Sequence, residues 1–215
     1  MLENYFFDFD KTLASSGKAS LIATKQAFKL NNLDEPDDDQ ILDFMGIPAD
    51  VSFPKMANRE LSESDAKKLV DTYRNIYGKY EKENTHLYPG MRDVLEDLQQ
   101  KGKNLFVVSS KSHDILKRNL DNLKITQYFK DFVGCDEVQH YKPAPDGILI
   151  LLDRYNLNNK QSVMVGDARY DLQMGKSASV KTCGAAWDAF SVDSLKNEHP
   201  DYLLCLLYTS PSPRD

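Results

Sequence analysis

Cysteine is scarce in this chain: three residues, Cys135, Cys183 and Cys205, stand far apart among 215. An odd and scattered set argues against a disulfide framework and against a thiolate-bound metal, and it fits a reducing cytoplasm. Basic blocks are also missing. With 27 Lys and Arg against 33 Asp and Glu, the net charge is −6, and the electrostatic footprint of a nucleic-acid binder is absent. An acidic protein that handles an anion has to build its positive field locally. No apolar run approaches the length of a membrane span, and no basic N-terminal region leads into one. These absences predict a cytoplasmic protein with neither nucleic-acid nor membrane partners; a monomer or homodimer is expected, though no sequence feature selects between them.

What the chain does have begins at Tyr5-Phe6-Phe7-Asp8-Phe9-Asp10-Lys11-Thr12-Leu13, a short aromatic run broken by two carboxylates and a hydroxyl. Such a run reads as a buried strand, with polar groups at its carboxyl end, where open α/β sheets bind ligands. In a strict strand Asp8 and Asp10 point the same way, and a like-charged pair needs a cation or a shared proton to coexist. Mg²⁺ suits so sparse a carboxylate set, completed by water and a phosphate. The same residues also fit an Asp-rich turn in which Asp10 or Thr12 caps the next helix.

Residues 16–84 read as wholly helical. Apolar residues recur at helical spacing over 19–31, and a long helix over 62–82 starts at the capping groups Ser62-Glu63-Ser64-Asp65 and carries the stripe Leu69, Val70, Tyr73, Ile76, Tyr77 and Tyr80. The stripe reads as core packing. Asp34-Glu35-Pro36-Asp37-Asp38-Asp39 reads as a solvated turn whose acids favour the next helix start, and Gly46-Ile47-Pro48 breaks that helix. From Leu87 onward the pattern alternates. Asn104 to Val108 is a buried strand ending in Ser109, and Ser162 to Gly166 is another, ending in Asp167 with Asp171 four residues on. Alternation of this kind indicates parallel βαβ units. The predicted architecture is α/β: a Rossmann-like parallel sheet core from residues 1–15 and 85–204, with an inserted all-helical cap over 16–84. If the three strands are neighbours, Asp8, Asp10, Ser109, Asp167 and Asp171 converge at one sheet edge.

With Asp8-Phe9-Asp10-Lys11-Thr12-Leu13, Val107-Val108-Ser109, Lys142-Pro143-Ala144-Pro145 and Val165-Gly166-Asp167 with Asp171 in this order, the chain resembles the haloacid dehalogenase superfamily. Its Tyr88-Pro89-Gly90 and Gly184-Ala185-Ala186-Trp187 are similar to the phosphoglycolate-phosphatase-like branch. The resemblance implies a Mg²⁺-dependent phosphatase acting on a small phosphorylated metabolite. Asp8 would be the nucleophile, and Asp10 the acid and then the base. Ser109 and Lys142 would hold phosphoryl oxygens. Asp8, Asp167 and the main-chain carbonyl of Asp10 would bind Mg²⁺, supported by Asp171. Asp10 separates phosphoryl chemistry from dehalogenation, which needs no such acid. Lys11 stands where the commonest motif of these phosphatases has Gly. Ser110, Lys111 and Arg169 are expected to position or support the site, and Gly46-Ile47-Pro48 to face the phosphate from the cap.

Two other functions fit the same residues: phosphosugar mutase chemistry, in which the aspartyl-phosphate returns to a sugar, and a non-catalytic phospho-acceptor switch resembling a receiver domain. Pyrophosphate and nucleotides are further substrates for the hydrolase. The Ser/Pro-rich residues 205–215 match no terminal helix. They are expected to be non-native sequence from a cloning junction or read-through.

Overall fold

The computed structural model describes residues 1–205. The expectation about residues 205–215 falls, beyond Cys205, outside them. The chain enters through β1 (Asn4–Phe7) and a short β2 (Ala14–Ser15). Four helices follow: α1 (Gly17–Leu30), α2 (Asp38–Asp43), α3 (Ala49–Met56) and α4 (Glu63–Asn84). After β3 (His86–Leu87) come α5 (Met91–Gln100), β4 (Asn104–Val108), α6 (His113–Asn122), β5 (Asp131–Val133), α7 (Asp146–Arg154), β6 (Ser162–Gly166), α8 (Arg169–Ser177), β7 (Lys181–Ala185), α9 (Val192–Asn197) and β8 (Tyr202–Leu204).

Six strands form a parallel sheet in the order β5-β4-β1-β6-β7-β8. The apolar runs of β1, β4 and β6 alternate between two buried faces, as strands covered on both sides must. Phe6 pairs with Phe106 and Met164, and these pack with Ile148 and Leu151 of α7 and Met174 of α8. Phe7 pairs with Val107 and Val165 and packs, on the other face, with Met91 and Leu95 of α5 and Leu116 and Leu120 of α6. The order in which strands are added reverses at β1. From there the chain runs outward to β4 and β5 one way and to β6, β7 and β8 the other. That reversal opens a crevice at the carboxyl ends of β4, β1 and β6, where ligands bind in open α/β sheets.

The helices α1–α4 bury an apolar cluster of their own. Ala19, Ala23 and Ala27 recur every four residues on α1 and are fully buried, a small-residue stripe that lets α1 lie close against α4. Phe53 sits edge-on to Phe28 and Tyr73, with ring centroids 5.4 and 5.0 Å away. Ser62 caps α4 by accepting from the amide of Asp65 at 3.1 Å, the interaction that the capping groups predict. The two chain crossings into this helical part run side by side, because β2 and β3 pair antiparallel, Ala14 with Leu87 and Ser15 with His86. Near the same end of α4, buried Glu81 accepts from Arg118 and from Asn119 of α6. Among the described residues, no helix is long and apolar enough to cross a membrane.

Candidate active site

Strand β1 stops at Phe7, so Asp8 and Asp10 lie beyond it in a tight loop. The amides of Leu13 and Ala14 both donate to the carbonyl of Phe9, and that of Lys11 to Ala14, at 2.8–3.1 Å. The indole of Trp187 holds the carbonyl of Thr12 at 3.2 Å. Lys11 takes a left-handed conformation, φ 59°, which favours glycine because a Cβ there crowds the following carbonyl. Its side chain is nevertheless buried, and its charge acts on Asp167.

In this loop the two carboxylates do not share one partner, as a strict strand would require. Asp8 is buried and accepts from the ammonium of Lys142 at 2.5 Å. Asp10 turns elsewhere. One of its oxygens accepts from the hydroxyl of Ser16 and lies 2.9 Å from the ammonium of Lys111. Two lysines thus keep the pair apart and compensate each member separately.

Lys142 comes from the loop before α7. It bridges Asp8 to Asp171, donating to the latter at 2.8 Å. Asp171 sits in the first turn of α8, fully buried, and its second oxygen accepts from the amide of Ala168 at 3.1 Å. Asp167, at the carboxyl end of β6, accepts from the hydroxyl of Thr12 at 3.1 Å. Carboxylate oxygens of Asp8, Asp167 and Asp171 all lie within 4.8 Å of one another. Burial, and then the neighbouring carboxylates Asp171 and Asp10, push Asp8 up to about 7 against the pull of Lys142. Asp167 is raised well above the usual carboxylate range by burial and by Asp8 and Asp171, with Lys11 and Thr12 opposing. Three close carboxylates served directly by one ammonium are short of positive charge, and their donors are all hard oxygens. That set fits a Mg²⁺ ion.

Ser109, at the end of β4, is buried; its hydroxyl accepts from the amide of Lys111 at 3.2 Å, and it shares the wall of a small recess with Lys142. Of the expected site residues, Asp8, Lys142, Asp167 and Asp171 meet directly. The carboxylate of Asp10 lies outside that cluster, on a separate cavity between the sheet and the helices α1–α4.

This cavity of about 100 Å³ is walled by Asp10, Ser110, Lys111, Tyr77, Arg74 and the loop Met45-Gly46-Ile47. The carbonyl of Gly46 accepts from the hydroxyl of Ser110 at 2.8 Å. Burial works against the charge of Lys111, but Asp10 and then Tyr77 and Tyr73 hold its affinity for a proton well above that of an ordinary lysine. Ser16 and Tyr77 escaped the sequence reading. Ser16 carries no periodic signal, and Tyr77 sits in a stripe that reads as core, yet it lines the cavity with its hydroxyl 3.0 Å from the Lys111 ammonium.

Residues 5–185 match the family model described as haloacid dehalogenase-like hydrolase. Pyrophosphatase PpaX of Oceanobacillus iheyensis is 28% identical over 203 residues, covering 94% of this chain and 92% of its own. A solved structure from Bacteroides fragilis, named for the same hydrolase family, superposes with a TM-score of 0.90 at 23% identity, over 96% of this chain and 98% of that one. A predicted phosphoglycolate phosphatase from Haemophilus somnus superposes with a TM-score of 0.85 at 25% identity, over 94% and 93%.

Proposed function

The chain belongs to the haloacid dehalogenase-like hydrolase family, and from that premise we propose that it is a Mg²⁺-dependent phosphatase that cleaves a small phosphate compound through an aspartyl-phosphate. The observation that carries the reading is the division of labour between two aspartates two residues apart. Asp8 belongs to the buried carboxylate cluster with Lys142, and Asp10 opens on the adjoining cavity.

A carboxylate oxygen of Asp8 attacks phosphorus, and the bond from phosphorus to the leaving oxygen breaks. That oxygen takes the proton of Asp10. Asp10, now a carboxylate, takes a proton from water as the water oxygen bonds to phosphorus, and the bond from phosphorus to Asp8 breaks to release phosphate. Lys142 and Ser109 hold phosphoryl oxygens, and Lys142 offsets charge on the nucleophile. Asp8, Asp167, Asp171 and the main-chain carbonyl of Asp10 would hold Mg²⁺, which supplies charge neutralisation at the phosphoryl group. The helices of residues 16–84 act as a cap that covers the leaving group and excludes water from the first step. Gly46 and Ile47 line the cavity, which supports their loop as the part of the cap that reads the substrate.

Phosphoglycolate is the substrate suggested by the branch that the motifs resemble. Pyrophosphate is the second reading, favoured by the name of the relative from Oceanobacillus iheyensis. Phosphate release over a panel of phosphoglycolate, pyrophosphate, nucleoside monophosphates and sugar phosphates, with and without Mg²⁺, tests the reading. The intact chain is expected to be active only with Mg²⁺, and Asp8→Asn to lose about 10⁴-fold or more in kcat. Equal turnover by the variant would show the nucleophile to be another group, and conversion of a sugar 1-phosphate to its 6-phosphate without release would show a mutase.

A further inference from the structure

Lys111 is a buried charged group on the cavity that the hydrolytic chemistry above does not use. Its side chain is only 9% exposed, an unusual burial for a lysine. The ammonium lies 2.9 Å from Asp10, donates to the hydroxyl of Tyr77 at 3.0 Å and stands over the Tyr77 ring, 4.4 Å from its centroid. Packing alone does not call for a charge here. An ammonium carries three donors, and among the described residues Asp10 and Tyr77 take two of them while the residue lines the cavity.

The other charged groups on this cavity are already matched. Arg74 donates to Asp50 at 2.8 Å, and both side chains are more than a third exposed. Among the described residues, Asp10 is therefore the one carboxylate paired with Lys111, and it is also the group that must serve the leaving oxygen. When Asp10 turns to that oxygen, the ammonium loses its partner inside a mostly buried space, which is costly for a charge. A leaving group bearing its own anion replaces the partner. A neutral one of the same size does not.

Resting on the hydrolase reading above, we propose that Lys111 is a specificity-determining residue that selects substrates whose leaving group carries a negative charge, either a carboxylate or a second phosphate. The proposal assigns to the cavity beside Asp10 an anion subsite distinct from the recess of Ser109 and Lys142. It also accounts for the position of Tyr77, which holds the ammonium from the cap side, so that the subsite is complete only while α4 covers the sheet.

A matched pair of substrates tests it: phosphoglycolate and 2-hydroxyethyl phosphate differ by a carboxylate against a hydroxymethyl group, and pyrophosphate adds a phosphate leaving group. In the intact chain kcat/KM is expected to favour at least one of the two anionic substrates. Lys111→Met should lower that ratio by roughly 10- to 100-fold, the scale of a hydrogen bond to a charged group. Lys111→Arg, which keeps the cation, should restore most of it. The anionic substrate whose ratio falls identifies the subsite's ligand as carboxylate or phosphate. If Lys111→Met slows all three substrates by the same factor, the residue only supports Asp10 and the proposal is overturned. If the intact chain cleaves none of them and no other phosphate compound, the hydrolase reading itself falls, and this inference with it.

Discussion

Gly166 ends β6, and the space where its side chain would be is filled by Asp171: a Cβ there would lie 2.3 Å from the Cβ, Cγ and a carboxylate oxygen of that residue. Gly166→Ala is therefore expected to push Asp171 off Lys142, destabilising the fold by about 2 kcal/mol and lowering kcat by about 10²-fold through misplaced groups. Chemical denaturation and phosphate release measure the two effects; an unchanged kcat would mean that Asp171 has no fixed place in the chemistry. Most of the cluster could be read from the sequence because Asp8, Lys142, Asp167 and Asp171 stand at fixed distances from strand ends or in a recognisable turn. Lys111 could be placed beside the site but not given a partner, since its contacts with Asp10 and Tyr77 join residues 101 and 34 positions away. Lys11 shows the same limit. Its left-handed backbone is where glycine is at ease, yet the charge of a lysine there is used, opposing the rise in proton affinity at Asp167.

Elements were legible in proportion to the regularity of their burial. β4 and β6 are short continuous apolar runs, and α4 shows a clear stripe with a cap at its start; β7 reads Lys-Thr-Cys-Gly-Ala and has neither signal. Its Gly184 is set by a neighbour, since a Cβ there would meet Leu203 at 2.8 Å, and no local pattern announces that. The pairing of β2 with β3 joins two-residue strands 72 positions apart and is equally invisible before folding. Between elements, α4 and α6 are held by a buried carboxylate: Glu81 is 4% exposed and depends on Arg118 and Asn119. Arg118→Met strands that carboxylate with the amide of Asn119 alone and is expected to cost about 3 kcal/mol of stability. Denaturant unfolding should show the loss as a lower midpoint, and a variant as stable as the parent would mean that the ion pair is replaceable by solvent.

For the whole molecule, the carboxylate cluster ties folding to pH. Asp8 and Asp167 both bind protons more tightly in the folded chain than the ordinary carboxylate value of 3.8, Asp8 up to about 7. Above about 4 the folded chain holds protons that the unfolded chain has released, so the contribution of both groups to stability falls as pH rises, that of Asp8 until about 7. A divalent cation among the three carboxylates offsets that loss. Mg²⁺ is therefore expected to raise the melting temperature more at pH 8 than at pH 5; equal shifts at the two pH values would contradict the cluster as its site. The helical part meets the sheet through two adjacent chain crossings, β2 and β3, at one end of α4. Mechanically this is a lever on a short fulcrum. A 22-residue helix is about 33 Å long, so a turn of about 10° at the crossings carries its far end through about 6 Å. A small angle at a site with no chemistry of its own is thus amplified at the helical wall, while the cluster around Asp8, on the stationary side of the fulcrum, keeps its geometry.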